Sequence, residues 1–214
     1  MKTPTNEISP IQTGIFILMM CFVVAISNYL LQFPVQGVLF GINLPDLLTW
    51  AAFTYPMAFF VTDLTNRQFG VKAARIVVFA GFALGVLISI YAATPRIAIA
   101  SGTAFLVAQF LDISIFNRLR ASAWWKAPFI SSLLGSTIDT VLFFSLAFAT
   151  MFVFLGANDD FAIGSAPLLG VFSSEVPRWV SWALGDFCVK IVVGLLMLLP
   201  YGGIVMSMNN KKFA

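Results

Sequence analysis

The sequence contains no histidine, only two cysteines and few charges. Each shortage removes a class of chemistry. Without histidine there is no Ser-His-Asp triad, no usual zinc site and no imidazole proton relay. The two cysteines, Cys21 and Cys188, both fall inside apolar runs. They read as plain core thiols rather than as a disulfide or a metal site. No GxxxxGK[ST] and no GxSxG is present, so the chain has neither its own P-loop nor a serine-hydrolase elbow. No carboxylate–His cluster suggests a metal enzyme. No catalytic residue, metal or cofactor is expected, and a membrane enzyme lacks the nucleophile–base pairs that catalysis needs.

Charged residues make up 10% of the 214 residues, against about 25% in a soluble domain. Hydrophobic residues make up 60%, with 23 phenylalanines among them. Such a chain is too apolar to hide its surface from water, so lipid is its solvent. Spanning the hydrocarbon core takes about 20 apolar residues, and six runs qualify or nearly do: 15–32, 47–62, 73–93, 97–116, 129–155 and 180–207. The second is short and carries Pro56, which predicts a kink. The fifth is long enough to tilt. Pro200 and Gly202-Gly203 are expected to loosen the end of the sixth. The polar start, Met1 to Pro10, precedes a run too long for a signal-peptide core, so that run reads as a retained helix. The expectation is one all-α transmembrane domain over residues 1–214, a bundle of six helices.

The cations orient it. With the N-terminus inside, the inner segments hold Lys2; Arg67, Lys72 and Arg75; Arg118, Arg120 and Lys126; and Lys211 and Lys212. Those nine face two outside, Arg96 and Arg178, and Lys190 lies within the sixth helix. The positive-inside rule then predicts both termini in the cytoplasm. The outer loop 156–178 carries an apolar patch, Leu168 to Phe172, which reads either as an ordinary surface loop or as a segment dipping back to cap a cavity. Gly81 and Gly85 form a GxxxG pair suited to close helix packing. Trp124, Trp125, Trp179 and Trp182 fall near interfaces, as an aromatic belt would.

Ionisable residues within the spans are the informative ones, since each costs about 2.5–3.5 kcal/mol at a helix centre. Asp186 and Lys190 share a face of the sixth helix, and Lys190 lies roughly 15 Å deep at the rise of a helix. Asp139 lies at a similar depth in the fifth. Asn28 and Gln32 share a face of the first helix, and Gln109 and Asp112 are three apart in the fourth. These stripes point to a bundle interior. They form either a self-neutralising network or a polar pocket for a small solute, and the two carboxylates, one lysine, amides and aromatics favour the pocket. Asp63 and Arg67, also i,i+4, sit at the inner end of the second helix, as a salt bridge or cap would. Asp112 lies close to Arg118 and Arg120 in sequence, and anchoring and function stand equally open for it.

Certain blocks resemble a known family. They are Thr62-Asp63-Leu64-Thr65-Asn66-Arg67-Gln68-Phe69-Gly70 with Ala74-Arg75, and Ser27-Asn28-Tyr29-Leu30 with Gln32. Further blocks are Leu111-Asp112-Ile113, Phe116-Asn117-Arg118-Leu119-Arg120, Trp124-Trp125 and Ala127-Pro128. The last are Gly135, Asp139-Thr140, Phe143-Phe144 and Asp186-Phe187-Cys188 with Lys190. In this order they resemble the queuosine precursor transporter family, also called the vitamin uptake transporter family. The resemblance implies six helices in a bacterial cytoplasmic (inner) membrane. It also implies import of 7-deazaguanines such as 7-cyano-7-deazaguanine and 7-aminomethyl-7-deazaguanine, with no direct contact to nucleic acid. The residues suit such a ligand: a carboxylate accepts the adjacent N–H donors of a guanine-like edge, Lys or an amide donates to O6, and the ring stacks on aromatics. Asp139 or Asp186 is then expected at the donor edge, with Lys190 and Asn28 at O6 or the cyano group. Gln32 completes the amides, and Trp50, Phe53 or Trp182 would stack. Asp63, Arg67 and Asp112 form a separate cytoplasmic motif. The alternative is an importer or binding subunit for another vitamin-like solute, with ATP-driven partners. Energy coupling and self-association stay open at this level.

Overall fold

The computed structural model describes residues 10–210; Lys2, Lys211 and Lys212 of the charge argument lie outside them. The chain runs through α1 (Pro10–Leu30), a hairpin of β1 (Val38–Leu39) and β2 (Ile42–Asn43), and α2 (Ala51–Thr54). Next come α3 (Met57–Phe69), α4 (Val71–Ala92), α5 (Pro95–Leu119) and α6 (Lys126–Phe148). A short α7 (Asp160–Ile163) and a second hairpin, β3 (Ser165–Pro167) with β4 (Glu175–Pro177), precede α8 (Arg178–Asn210). Among the described residues five helices, α1, α4, α5, α6 and α8, are long and apolar enough to cross a membrane. The protein is an all-α membrane protein, with its two small antiparallel hairpins in the connections.

Local chemistry sets the element ends. Thr94 caps α5 by accepting from the Ile97 N–H, with Pro95 at the first helical position, where its missing donor costs nothing. Gly70, at φ 84°, turns α3 straight into α4, a left-handed geometry that a side chain would strain. The expected kink at Pro56 is there, and it is a full break: α2 ends at Thr54 and α3 begins at Met57. The second helical segment also runs seven residues past its expected end, to Phe69.

Two other expectations are corrected. The fifth run does not continue to 155. Its α-helix stops at Phe148 and the chain tightens into a 3-10 helix over Thr150–Leu155. Arg96 explains this: its guanidinium donates to the carbonyls of Leu146 (2.9 Å), Ala149 (2.6 Å), Gly156 and Ala157 (both 3.2 Å) and to Asn158 Oδ1 (3.0 Å). A buried side chain, 3% exposed, thus takes over the acceptors that a helix end leaves free. The sixth run is not loosened at its end, because α8 stays helical through Pro200 to Asn210. Gly202 is instead a contact point, where an added Cβ would lie 2.8 Å from the Trp124 ring.

One core joins four helices: Met20, Val23 and Val24 of α1, Ala58 and Val61 of α3, Ala74, Val77 and Val78 of α4, and Ile113 of α5. The GxxxG pair does the packing expected of it. A Cβ on Gly81 would lie 2.5 Å from Met20 Cγ, and one on Gly85 would touch Val24. Gly135 lets α6 close on Phe59 of α3 in the same way. The outer surface carries exposed Leu18, Phe22, Ile90, Leu196 and Leu199, apolar where lipid is the neighbour. Cys188 is on that exposed surface and Cys21 is half-buried, so neither is the core thiol expected.

Contacts sort the connections into two ends. At one, Phe16 of α1 packs edge-on against Phe69 of α3, Gly70 lies against Arg120, and Tyr201 of α8 meets Arg67. At the other, Arg96 ties the start of α5 to the end of α6, and Trp182 of α8 donates to the Asp46 carbonyl (2.9 Å).

Arg96→Ala is expected to cost at least about 3 kcal/mol, since hydrogen bonds to a charged partner contribute about 1.5–3 kcal/mol each. Arg96→Lys should recover only part of it, lacking the planar fork. Thermal melting of the purified protein checks this; an unchanged midpoint for Arg96→Ala would mean that the carbonyls have other donors.

Candidate functional site

Two helices bring three ionisable side chains to one point. Lys190 Nζ of α8 lies 2.7 Å from Asp139 Oδ2 of α6 and 2.5 Å from Asp186 Oδ2, one turn back on α8. Thr140 joins them, accepting from Lys190 (3.1 Å) and donating to Asp186 Oδ2 (3.0 Å). The spacing explains the assembly: i,i+4 puts Asp186 and Lys190 on one face, and α6 packs along it. Lys190 is 5% exposed, while Asp139 and Asp186 are 21% and 15% exposed. A cation this deep is held by two anions. Among the described residues, each carboxylate gives Oδ2 to the lysine and keeps Oδ1 free of any hydrogen bond.

The trio lines a cavity of about 1240 Å³, above the usual range for small-molecule pockets, about 300–1,000 Å³. Its walls come from α1, α2, α4, α5, α6 and α8, and it reaches the end of the bundle where Arg178 and the hairpins lie. Asn28 and Gln32 line the α1 side, with the Asn28 amide donating to the Val24 carbonyl (2.8 Å) and Gln32 exposed. Trp182 lines it as well, stacked on Phe161 at 5.5–6.2 Å spacings shared with an edge-on Phe148. Trp182 therefore belongs to this wall and not to an outer aromatic belt.

Trp50 and Phe53 do not line the cavity. They pack on each other (5.6 Å) with Trp50 47% exposed, because the face that α2 turns inward carries Ala51, Ala52 and Tyr55. Tyr55 sits beside the three charges, at the break before Pro56. Sequence reasoning passed over it; an aromatic with a polar tip next to a proline break was the available signal. The apolar patch of the outer loop caps the cavity. Leu169 and Gly170 line it, and the Leu169 N–H is fixed to Ser181 Oγ of α8 (2.9 Å).

The cytoplasmic-motif residues gather elsewhere. Asp63 and Arg67 make no salt bridge. Asp63 accepts from Ser131 (3.3 Å) and Ser132 (3.2 Å) of α6. Arg67 donates to Tyr201 Oη (2.9 Å) and the Arg120 carbonyl (2.8 Å) and stacks over Phe116. Arg120 in turn donates to the Arg67 carbonyl. Asp112 pairs with neither Arg118 nor Arg120. It is fully buried, no described donor meets either of its oxygens, and its carboxyl lies within hydrogen-bonding reach of that of Asp63. Among the described residues no group of three or more His, Cys, Asp or Glu is placed to hold a metal ion.

Comparison with known proteins adds the following. Residues 49–94 and 87–204 match the family model described as "Putative vitamin uptake transporter". The chain is 34% identical to the "Queuosine precursor transporter" of Escherichia coli (strain K12), over 90% of this chain and 85% of that protein. It is 31% identical to the "Probable queuosine precursor transporter" of Haemophilus influenzae, over 89% and 85%. It is 25% identical to the Bacillus subtilis protein of that description, over 69% and 66%. No solved structure gives a significant match.

Lys190→Met leaves two carboxylates facing each other without a cation and is expected to destabilise the protein by about 3–5 kcal/mol. Combining it with Asp139→Asn and Asp186→Asn should restore most of that loss, because the neutral set needs no counter-charge. Melting of the single and triple variants in detergent reads the difference; equal losses would show that Lys190 contributes packing alone.

Proposed function

This chain belongs to the vitamin uptake transporter family, and on that premise we propose that it imports queuosine precursors, 7-deazaguanines, into the cytoplasm. It is a multi-pass protein of the bacterial inner membrane, a carrier and not an enzyme in this reading. The observation that carries the site is that Asp139 and Asp186, each with an Oδ1 free of any hydrogen bond, line a large cavity beside one buried lysine. Adjacent N–H donors of a guanine-like edge match two such acceptors. Lys190, nearly buried and fully engaged, then orients both carboxylates rather than touching O6 itself. Asn28 and Gln32 offer amides from the α1 side, and Trp182 with Phe148 and Phe161 offers stacking faces of the kind that suits a flat ring.

In the same reading residues 1–214 act as one transmembrane domain of six crossings, with α2 and α3 together as the second. Supporting this, the early part of α1 and the late part of α8 pack at the same end as the α3–α4 turn. That end carries Arg67, Lys72, Arg75, Arg118, Arg120 and Lys126, which puts it in the cytoplasm by the positive-inside rule. Both termini are then inside and the cavity opens outward.

Uptake of 7-cyano-7-deazaguanine by cells unable to make it, read as queuosine in tRNA, is expected with the wild-type chain. It should be abolished by Asp139→Ala, Asp186→Ala or Lys190→Ala when the variants are compared at matched membrane abundance. An analogue without the exocyclic amine should compete about tenfold more weakly or worse, the loss of one charge-assisted hydrogen bond. Uptake at the wild-type rate in all three variants would remove the site. Reporter insertions after Ser122 and Asn158 test the topology: the first should report cytoplasm and the second the outer side, and the reverse pattern would invert the chain.

A further inference from the structure

The substrate cavity leaves one polar cluster without a task. Asp63 of α3 and Asp112 of α5 are 2% and 0% exposed, and their carboxyl groups reach each other at the heart of the cytoplasmic half. Two ionised carboxylates in contact inside a membrane are incompatible with low dielectric and like-charge repulsion. The surroundings supply no compensating cation. From α6 come only the hydroxyls of Ser131 and Ser132. From α4, Lys72 and Arg75 are exposed, and α1 carries no charged side chain within its described span. Arg67 turns Nε to Tyr201 and Nη1 to the Arg120 carbonyl, its buried Nη2 meets no acceptor and pairs with neither carboxylate, and Arg118 and Lys126 are exposed. From α8, Lys190 is held by Asp139 and Asp186, and Tyr201 by Arg67. Asp112, with neither oxygen met by a well-formed hydrogen bond, has the Asp63 carboxyl and the Ser131 hydroxyl as its polar neighbours. The geometry calls for one proton between the two carboxyls, the arrangement in which a carboxylic acid donates to its neighbour.

Asp63 shares a cavity wall with the lysine of the substrate trio. A second cavity, about 30 Å³, is lined by Asp63, Ser132, Ser136 and Lys190 among mostly apolar side chains. It exceeds the 10–15 Å³ or so that one water requires, and a serine hydroxyl can both donate and accept. Asp63 also stands on the helix that follows the Pro56 break, and Tyr55, within that break, lines the substrate cavity with Ala51 and Ala52 of α2. Thr62 of α3 donates to Gln109 of α5 (2.6 Å), one turn from Asp112. With one proton the α3–α5 contact is a hydrogen bond; with none it is a repulsion.

We propose that Asp63 and Asp112 form a proton-binding site, separate from the substrate cavity, that couples import to the proton gradient: one proton enters with each substrate and leaves to the cytoplasm as α3 and α5 part. This rests on the transport reading above, and the experiment separates the two. Infrared spectroscopy of the purified protein at neutral pH should show a protonated-carboxyl C=O band that the Asp63→Asn/Asp112→Asn double variant lacks. The absence of the band in wild type, or its survival in the double variant, overturns the site without reference to substrate. In proteoliposomes with the membrane potential clamped, an inward gradient of one pH unit should accumulate 7-cyano-7-deazaguanine up to about tenfold, the equivalent of one proton per substrate. Asp112→Asn should lose this accumulation while keeping substrate–substrate exchange, which also shows that it folds. Accumulation by the variant at the wild-type level, or driven by a sodium gradient in place of the pH gradient, overturns the coupling role. Wild type that shows the band but no exchange at all counts against the substrate assignment and for the proton site.

Discussion

One ammonium group between two carboxylates sets the terms for the rest of this bundle. Lys190 lies near the middle of α8, where an unpaired charge would be expelled or neutralised. Its two anions come from different helices, so α6 and α8 must run side by side with Asp139, Asp186 and Thr140 in register. That pairing leaves a net negative charge and two unshared oxygens on the wall of a cavity. The other helices close around it: α1 and α4 through the glycine contacts at Met20 and Val24, and α3 through Gly135. Hydrophobic burial contributes little between helices in lipid, so close backbone approach and buried polar contacts hold the assembly.

The two polar clusters divide the interior by depth. The upper one pairs one cation with two carboxylates and opens to the cavity. The lower one is acidic, closed and roofed by serine hydroxyls. Between it and the cationic end lies the Arg67–Arg120–Tyr201 network, in which two guanidiniums bond each other's carbonyls and close the α3–α4 and α5–α6 connections together. A pathway running from one end to the other would pass these three layers in turn, each with a different electrostatic character.

Much of this was legible in the sequence, for identifiable reasons. Charges in lipid are so costly that Asp139, Asp186 and Lys190 had to converge, and spacing alone put two of them on one face. The kink at Pro56 and the packing at Gly81 and Gly85 followed from local sterics. What was missed depended on partners distant in the chain. Asp63 and Arg67 looked like an i,i+4 pair, but α6 offers Asp63 two hydroxyls and α8 offers Arg67 a phenol. Nothing local could show that Asp112 would meet Asp63 rather than the arginines that follow it. Nor could periodicity foresee that Arg96, counted only as an outer cation, would end α6 early by taking its carbonyls. Trp50 and Phe53 fell off the cavity because a helix of four residues turns only one face inward.

The attachment of the outer loop to α8 has a mechanical consequence. Leu169, which covers the cavity, hangs from Ser181, and the Asp46 carbonyl of the first connection hangs from Trp182. Two turns further along the same helix is Lys190, the floor. Roof and floor are therefore mounted on one rod. A tilt of α8 lifts or lowers both at once, so the chamber keeps its height while its position against α1 and α2 changes.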